Sequence, residues 1–127
     1  GIPKAHADSG DPYPRQCQTT ASLVATRLNL PKDRWMLTFQ SRFGPAEWLT
    51  PYTDITMGAL PDQGIHDVLV VCPGFSVDCL ETIEEIKILN RDIFLAAGGE
   101  RFTYVKALNA SWDHTNVILD IINKYQK

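Results

Sequence analysis

Four carboxylates and a thiol fall within eight residues of this chain, in the stretch DCLETIEE at positions 78–85. Acidic side chains gather at the amino-terminal end of a helix because the exposed backbone N–H groups there attract negative charge, by ~0.3–1 kcal/mol each. That alone accounts for Asp78, Glu81, Glu84 and Glu85 as a solvated helix start. A second reading starts from spacing. Glu81 and Glu85 are four apart and share a helix face. Two carboxylates on one face of a helix entering a cleft can bind a hard or borderline cation, or pass protons. Asp78 is placed to fix a neighbouring group, and Cys79 sits inside the cluster.

Two aromatic residues, Trp48 and Phe75, fall in loops rather than in apolar runs. They either cap a core or form a wall for a flat apolar ligand. His6, His66 and His114 have no partner at metal-ligand spacing and read as structural or solvent-facing. The cysteines Cys17, Cys72 and Cys79 form no C-x-x-C, which points away from a zinc knuckle and toward a reducing, cytoplasmic setting. The glycine fingerprints of dinucleotide and phosphate binding are absent, as is the G-x-S-x-G elbow.

These residues need elements to hold them. A chain of 127 residues suffices for one domain with a core, and 44% apolar with 21% charged residues is a globular balance. The net charge of -3 argues against nucleic acid as a partner. No apolar run approaches the ~20 residues of a membrane span. Residues 1–14 read as irregular. Ala21, Val24, Ala25 and Leu28 give a helix over 15–28, with Pro14 in its first turn. RWMLTFQS (34–41), HDVLVVCP (66–73) and RFTYVKAL (101–108) read as buried strands. Helices are expected over 53–60 with Thr53 as cap, over 78–97 ended by Gly98-Gly99, and within 109–126 with Ser111 as cap.

The alternation predicts an α/β fold of three layers, a parallel sheet with helices on both faces, resembling half of a flavodoxin-like domain. Residue 1 follows directly on a turn that a strand would feed. In a 2-1-3-4 strand order that first strand is central, so the expectation is a sheet whose first strand lies outside this chain. Ligands bind at the carboxyl ends of such strands. SRFGPAEWL, PGFSVDCLETIEE, ALNASWD and the opening GIPKAHADSGDPYP all belong to that rim.

LTFQSRFGPAEWLTPYT, VVCPGFSVDCLETIEEI, YVKALNAS and GIPKAHADSGDPYPRQC together resemble the ferrochelatase family, over essentially the whole chain and closest to bacterial forms. The resemblance implies a chelatase-like fold, with residues 1–127 as the carboxy-terminal domain of a longer two-domain enzyme. That enzyme inserts Fe²⁺ into protoporphyrin IX, a lyase reaction that ends haem biosynthesis. The family pattern Ser-x-His-Gly-x-Pro places a catalytic histidine immediately before Gly1. By the same resemblance Glu81 is the catalytic acid facing that histidine, and Asp78 is a catalytic acid supporting it. Glu81 and Glu85 form the metal-handling ladder. Its third position falls at Leu89, which is not acidic, and Cys79 stands where many relatives carry histidine. Trp48 and Phe75 match porphyrin-facing aromatics, and Gln40, Ser41 and Gly44 match the loop before Trp48. Arg42 is a candidate cationic rim for the porphyrin carboxylates. Fe²⁺ is a substrate in this reading, and no cofactor or iron–sulfur cluster is expected from this segment. The expected partners are protoporphyrin IX, Fe²⁺ and the amino-terminal ferrochelatase domain. The expected location is the cytoplasm, with peripheral attachment to the inner membrane left open. The isolated segment is expected to be inactive. The rival readings are a non-catalytic porphyrin- or haem-binding module and a related tetrapyrrole metal chelatase.

Overall fold

The computed structural model describes residues 1–126; Lys127, the last residue of the expected domain, lies outside the described residues. Five α-helices, one π-helix and two strands follow one another: α1 (Lys4–Asp8), α2 (Tyr13–Arg27), α3 (Thr53–Ala59), β1 (Asp67–Val71), the π-helix (Glu81–Asn90), α4 (Arg91–Ala96), β2 (Arg101–Val105) and α5 (Trp112–Tyr125). β1 and β2 pair in parallel with Asp67 opposite Arg101 and Val71 opposite Val105. The class is α/β, as the alternation predicts.

Two of the three expected strands form. Residues 34–41 do not make a ladder. Trp35 is extended (φ -151°, ψ 155°), but the only pairing in that stretch is a single bridge from Phe39 to Tyr52. An extended segment becomes a strand only when a neighbour accepts its backbone bonds. Here the backbone contacts are isolated ones: Phe39 N donates to Pro51 O at 2.8 Å, and Gly1 N donates to Gln40 O at 3.0 Å. Residues 1–14 also depart from expectation, since Lys4–Asp8 forms a short helix tied by a Lys4–Asp8 ion pair.

The inner face of the strands carries Val68, Val70 and Phe102 onto Met57 and Leu60 of the α3 region and Phe94 of α4. Phe94 is fully buried, with its ring centroid 6.2 Å from that of Phe102. Gly99 makes this packing possible, because a Cβ there would stand 2.2 Å from the Phe94 ring. Gly98, at φ +102°, ends α4 in a conformation that side chains resist. On the other side, Val24 of α2 and Val117, Ile118 and Ile121 of α5 stand off Val71 and Val105, leaving an apolar groove of about 640 Å³.

Local signals explain the helix ends. Asp11 accepts from Tyr13 N at 2.8 Å ahead of α2, and Pro14 sits in its first turn, where no partner for its nitrogen is needed. Ser111 caps α5 by accepting from His114 N at 3.2 Å. Thr53 is the first residue of α3 rather than its cap; it is buried, and its hydroxyl donates to Thr38 Oγ1 at 2.9 Å. The expected helix over 78–97 is a ten-residue π-helix continued by α4.

Candidate functional site

The carboxylate cluster enters the fold on the π-helix, whose N–H groups bond five residues back instead of four. Two of its carbonyls take side-chain donors. Gln40 Nε2 reaches Glu81 O at 2.9 Å, and Asn90 Nδ2 reaches Glu85 O at 2.6 Å. Thr82, Ile86 and Asn90 form the buried side of the helix. Glu81 is exposed and Glu85 is half-buried.

Gln40 joins the two acids. Its amide lies 2.9 Å from the Glu81 carbonyl and 3.4 Å from Glu85 Oε2, and Ser41 Oγ donates to the same Glu85 oxygen at 2.6 Å. Ser41 makes this contact from a left-handed backbone (φ +63°), a conformation that non-glycine residues adopt at a cost of order 1 kcal/mol or more. Gly1 packs on the same stretch. A Cβ on it would lie 3.3 Å from Gln40 O and from Phe39 Cβ, and 3.7 Å from the Trp48 ring. Trp48 is held there by Nε1 donating to Phe43 O at 3.0 Å.

Asp78 lies just ahead of the π-helix and accepts four donors. Tyr104 Oη (2.6 Å), Thr82 Oγ1 (3.2 Å) and Ala107 N (3.3 Å) converge on Oδ1, while Asn109 Nδ2 binds Oδ2 at 2.8 Å. Asn109, Tyr104 and the remaining donors hold its carboxyl down at about 2, against the opposing effect of desolvation. The Tyr104 phenol is pushed up to about 12, by burial first and by the Asp78 bond second. Glu81 lies below its ordinary value, through the Cys79 side chain first and its own backbone N–H second, against desolvation. Burial, with the nearby charges of Asp78 and Cys79, raises the Cys72 thiol to about 11. Asp78 is therefore a fixed anion at neutral pH, and Glu81 is an ionised, solvent-facing carboxylate.

A cleft of about 320 Å³ lies between the 39–42 segment and the π-helix, lined among others by Gln40, Ser41, Arg42, Asp54, Glu85 and Asn90. Asn90 Oδ1 is buried and unpartnered among the described residues. Leu89, at the third position of the acidic ladder, also lines this cleft. Arg42 pairs with Asp54 and lies 4.1 Å above the Tyr52 ring, so its charge is already answered within the chain. Phe75 is on the other side, lining the apolar groove with α5; Trp48 lines neither space. Gln40 and Trp48 thus lie against Gly1, and Gln40 links them to the Glu81 backbone and, with Ser41, to the Glu85 carboxylate, while Phe75 lines the other space. Among the described residues no three His, Cys, Asp or Glu side chains are grouped to hold a metal ion.

Four contributors escaped sequence reasoning: Tyr104, Asn109, Thr82 and Asn90. Thr82 is four residues after Asp78, which is a usable signal. Asn109 stands where a left-handed residue ends a strand, a place asparagine tolerates. Tyr104 and Asn90 carry no local signal.

The profile of the family described as Ferrochelatase matches residues 1–126. The chain belongs to the ferrochelatase family. A protein named Ferrochelatase from Methylococcus capsulatus is 55% identical over 125 residues, which is 98% of this chain and 38% of that relative. The Ferrochelatase of Pseudoalteromonas atlantica is 56% identical over 98% of this chain and 34% of its own length. That of Hydrogenovibrio crunogenus is 55% identical over 96% and 32%. The chain therefore spans about a third of the length of the ferrochelatases it matches. No helix of the described residues is long and apolar enough to cross a membrane.

Proposed function

We propose that this chain is the carboxy-terminal part of a two-domain ferrochelatase that inserts Fe²⁺ into protoporphyrin IX, and that Glu81 is its proton-accepting carboxylate. The observation carrying this reading is the meeting at Gln40. Its backbone carbonyl binds Gly1, and its side chain binds the Glu81 carbonyl and the Glu85 carboxylate. In the family pattern a histidine precedes Gly1, so that histidine and the acidic helix would face each other across a short gap. Metal insertion releases two pyrrole protons. An ionised carboxylate beside a base can accept them one at a time while the ion sheds its water. Glu85, engaged by Ser41 and Gln40, would pass metal or proton onward, and Trp48 would support the porphyrin edge near Gly1. Fe²⁺ is a substrate here, and no resident cofactor or iron–sulfur cluster is assigned to this segment. A cytoplasmic enzyme, peripheral to the inner membrane or free of it, fits the chain's acidic balance.

The test is metalation of protoporphyrin IX by the full-length protein, followed by loss of porphyrin fluorescence with Fe²⁺ or by its replacement with the shifted emission of the zinc porphyrin with Zn²⁺. Glu81→Ala should reduce turnover at least ~100-fold while porphyrin still binds, the magnitude being that of a lost general base. Full turnover by Glu81→Ala, or by the 127-residue segment alone, would end this reading; binding without any turnover would favour a carrier.

A further inference from the structure

We infer that Asn109 is a positioning residue for the carboxylate-bearing π-helix, acting through Asp78. Its amide closes a two-bond ring with Asp78: Asp78 N donates to Asn109 Oδ1 and Asn109 Nδ2 donates to Asp78 Oδ2, each at 2.8 Å. The same Nδ2 donates to Ala107 O at 3.0 Å, and Asn109 N donates to Ser76 O at 3.0 Å. The Asn109 carbonyl accepts from His114 Nδ1 at 2.6 Å, in the first turn of α5. The side chain and backbone of Asn109 therefore join the loop before the π-helix, the segment that follows β2 and the start of α5. Asp78 transmits the placement, since Thr82 Oγ1 donates to its carboxylate from inside the first turn of the π-helix and also receives Cys79 N at 2.9 Å. Tyr104 Oη supplies the second strong donor, from β2.

The geometry explains the residue type. Asn109 has φ +51°, which asparagine and glycine tolerate and most residues resist. Glycine would keep the turn and lose all three side-chain bonds. Aspartate would keep the shape and turn a donor to a carboxylate into a like charge. Only asparagine offers the left-handed backbone, a donor for Oδ2 and an acceptor for the Asp78 N–H. Hydrogen bonds to ionised groups are the stronger kind, so the ring is a stiff connection rather than a loose contact. A carboxylate displaced by about 1 Å can cost roughly 100-fold in rate. The π-helix start carries Glu81 only three residues beyond Asp78.

This inference rests on the proposed metalation reading, and its test separates the two. In the full-length protein, Asn109→Gly and Tyr104→Phe are compared with wild type in porphyrin metalation and in amide hydrogen exchange. Asn109→Gly should lower kcat about 10- to 100-fold with the porphyrin KM within about twofold, and Tyr104→Phe should lower it less. Exchange at Asp78, Cys79 and Thr82 should accelerate at least about tenfold in Asn109→Gly, with the core around Phe94 unchanged. Loss of thermal stability with unchanged kcat and unchanged local exchange would make Asn109 merely structural and overturn the inference. Should Asn109→Gly fail to fold, Tyr104→Phe decides by the same two measurements: unchanged kcat and exchange there overturn it. Wild-type protein without metalation would sink the functional reading alone, while the exchange result still decides the positioning role.

Discussion

Asp78 and Glu81 are three residues apart, and their surroundings set them to different tasks. Asp78 is saturated by Tyr104, Thr82, Ala107 and Asn109, whereas Glu81 is exposed. A carboxyl held at about 2 does not carry protons at neutral pH; it carries charge and geometry. Its depressed value also makes stability depend on pH. The unfolded chain, with its ordinary value of 3.8, takes up the proton first as pH falls. The stabilisation is therefore complete above about pH 5 and is lost progressively as pH falls toward about 2. Comparing urea midpoints of wild type and Asp78→Asn from pH 7 to pH 2 should show a wild-type advantage that shrinks below about pH 4. An advantage that holds constant across that range would contradict the assignment of Asp78 as a fixed anion.

The elements that carry these residues depend on close packing at one glycine and on paired edges. A Cβ at Gly99 would enter the Phe94 ring, which is fully buried and has nowhere to move. Gly99→Ala should cost on the order of 1–3 kcal/mol by overpacking, read as a lowered urea midpoint with unchanged slope; an unchanged midpoint would refute the contact. β1, β2, α2 and α5 were legible in the sequence because β-branched runs and helical spacing are local properties. The stretch 34–41 has the composition of a strand, but strand formation is a property of a pair, and among the described residues its pairing is the single bridge from Phe39 to Tyr52. The π-helix is hidden in the sequence because its buried positions, Thr82, Ile86 and Asn90, fall four apart, as they would in an α-helix. At the site, the acids were legible by type and spacing. Their partners were not, since Asn109 and Tyr104 lie 31 and 26 residues from Asp78 and meet it only through the parallel pairing of β1 and β2.

The whole molecule leaves one amphipathic surface without a mate. Ile118 is 45% exposed and Ile121 51% exposed, yet both line the groove with Val71, Val105 and Phe75. Trp112, Val117, Leu119, Ile122 and Tyr125 are exposed as well, and α5 has no buried residue. A contiguous apolar patch of this kind on a lone domain favours association with another surface. The chain spans about a third of each relative's length; on the proposed reading of a longer two-domain protein, the surface expected to cover α5 is the rest of that protein. The 127-residue segment on its own should then bind a hydrophobic dye such as ANS and self-associate at micromolar concentration, and Ile121→Lys should reduce both. On the same reading the full-length protein should show neither. The comparison needs only dye fluorescence and light scattering on three samples. A segment that is monomeric and dye-silent would mean that α5 closes onto the groove by itself and that no outside surface is needed to cover it.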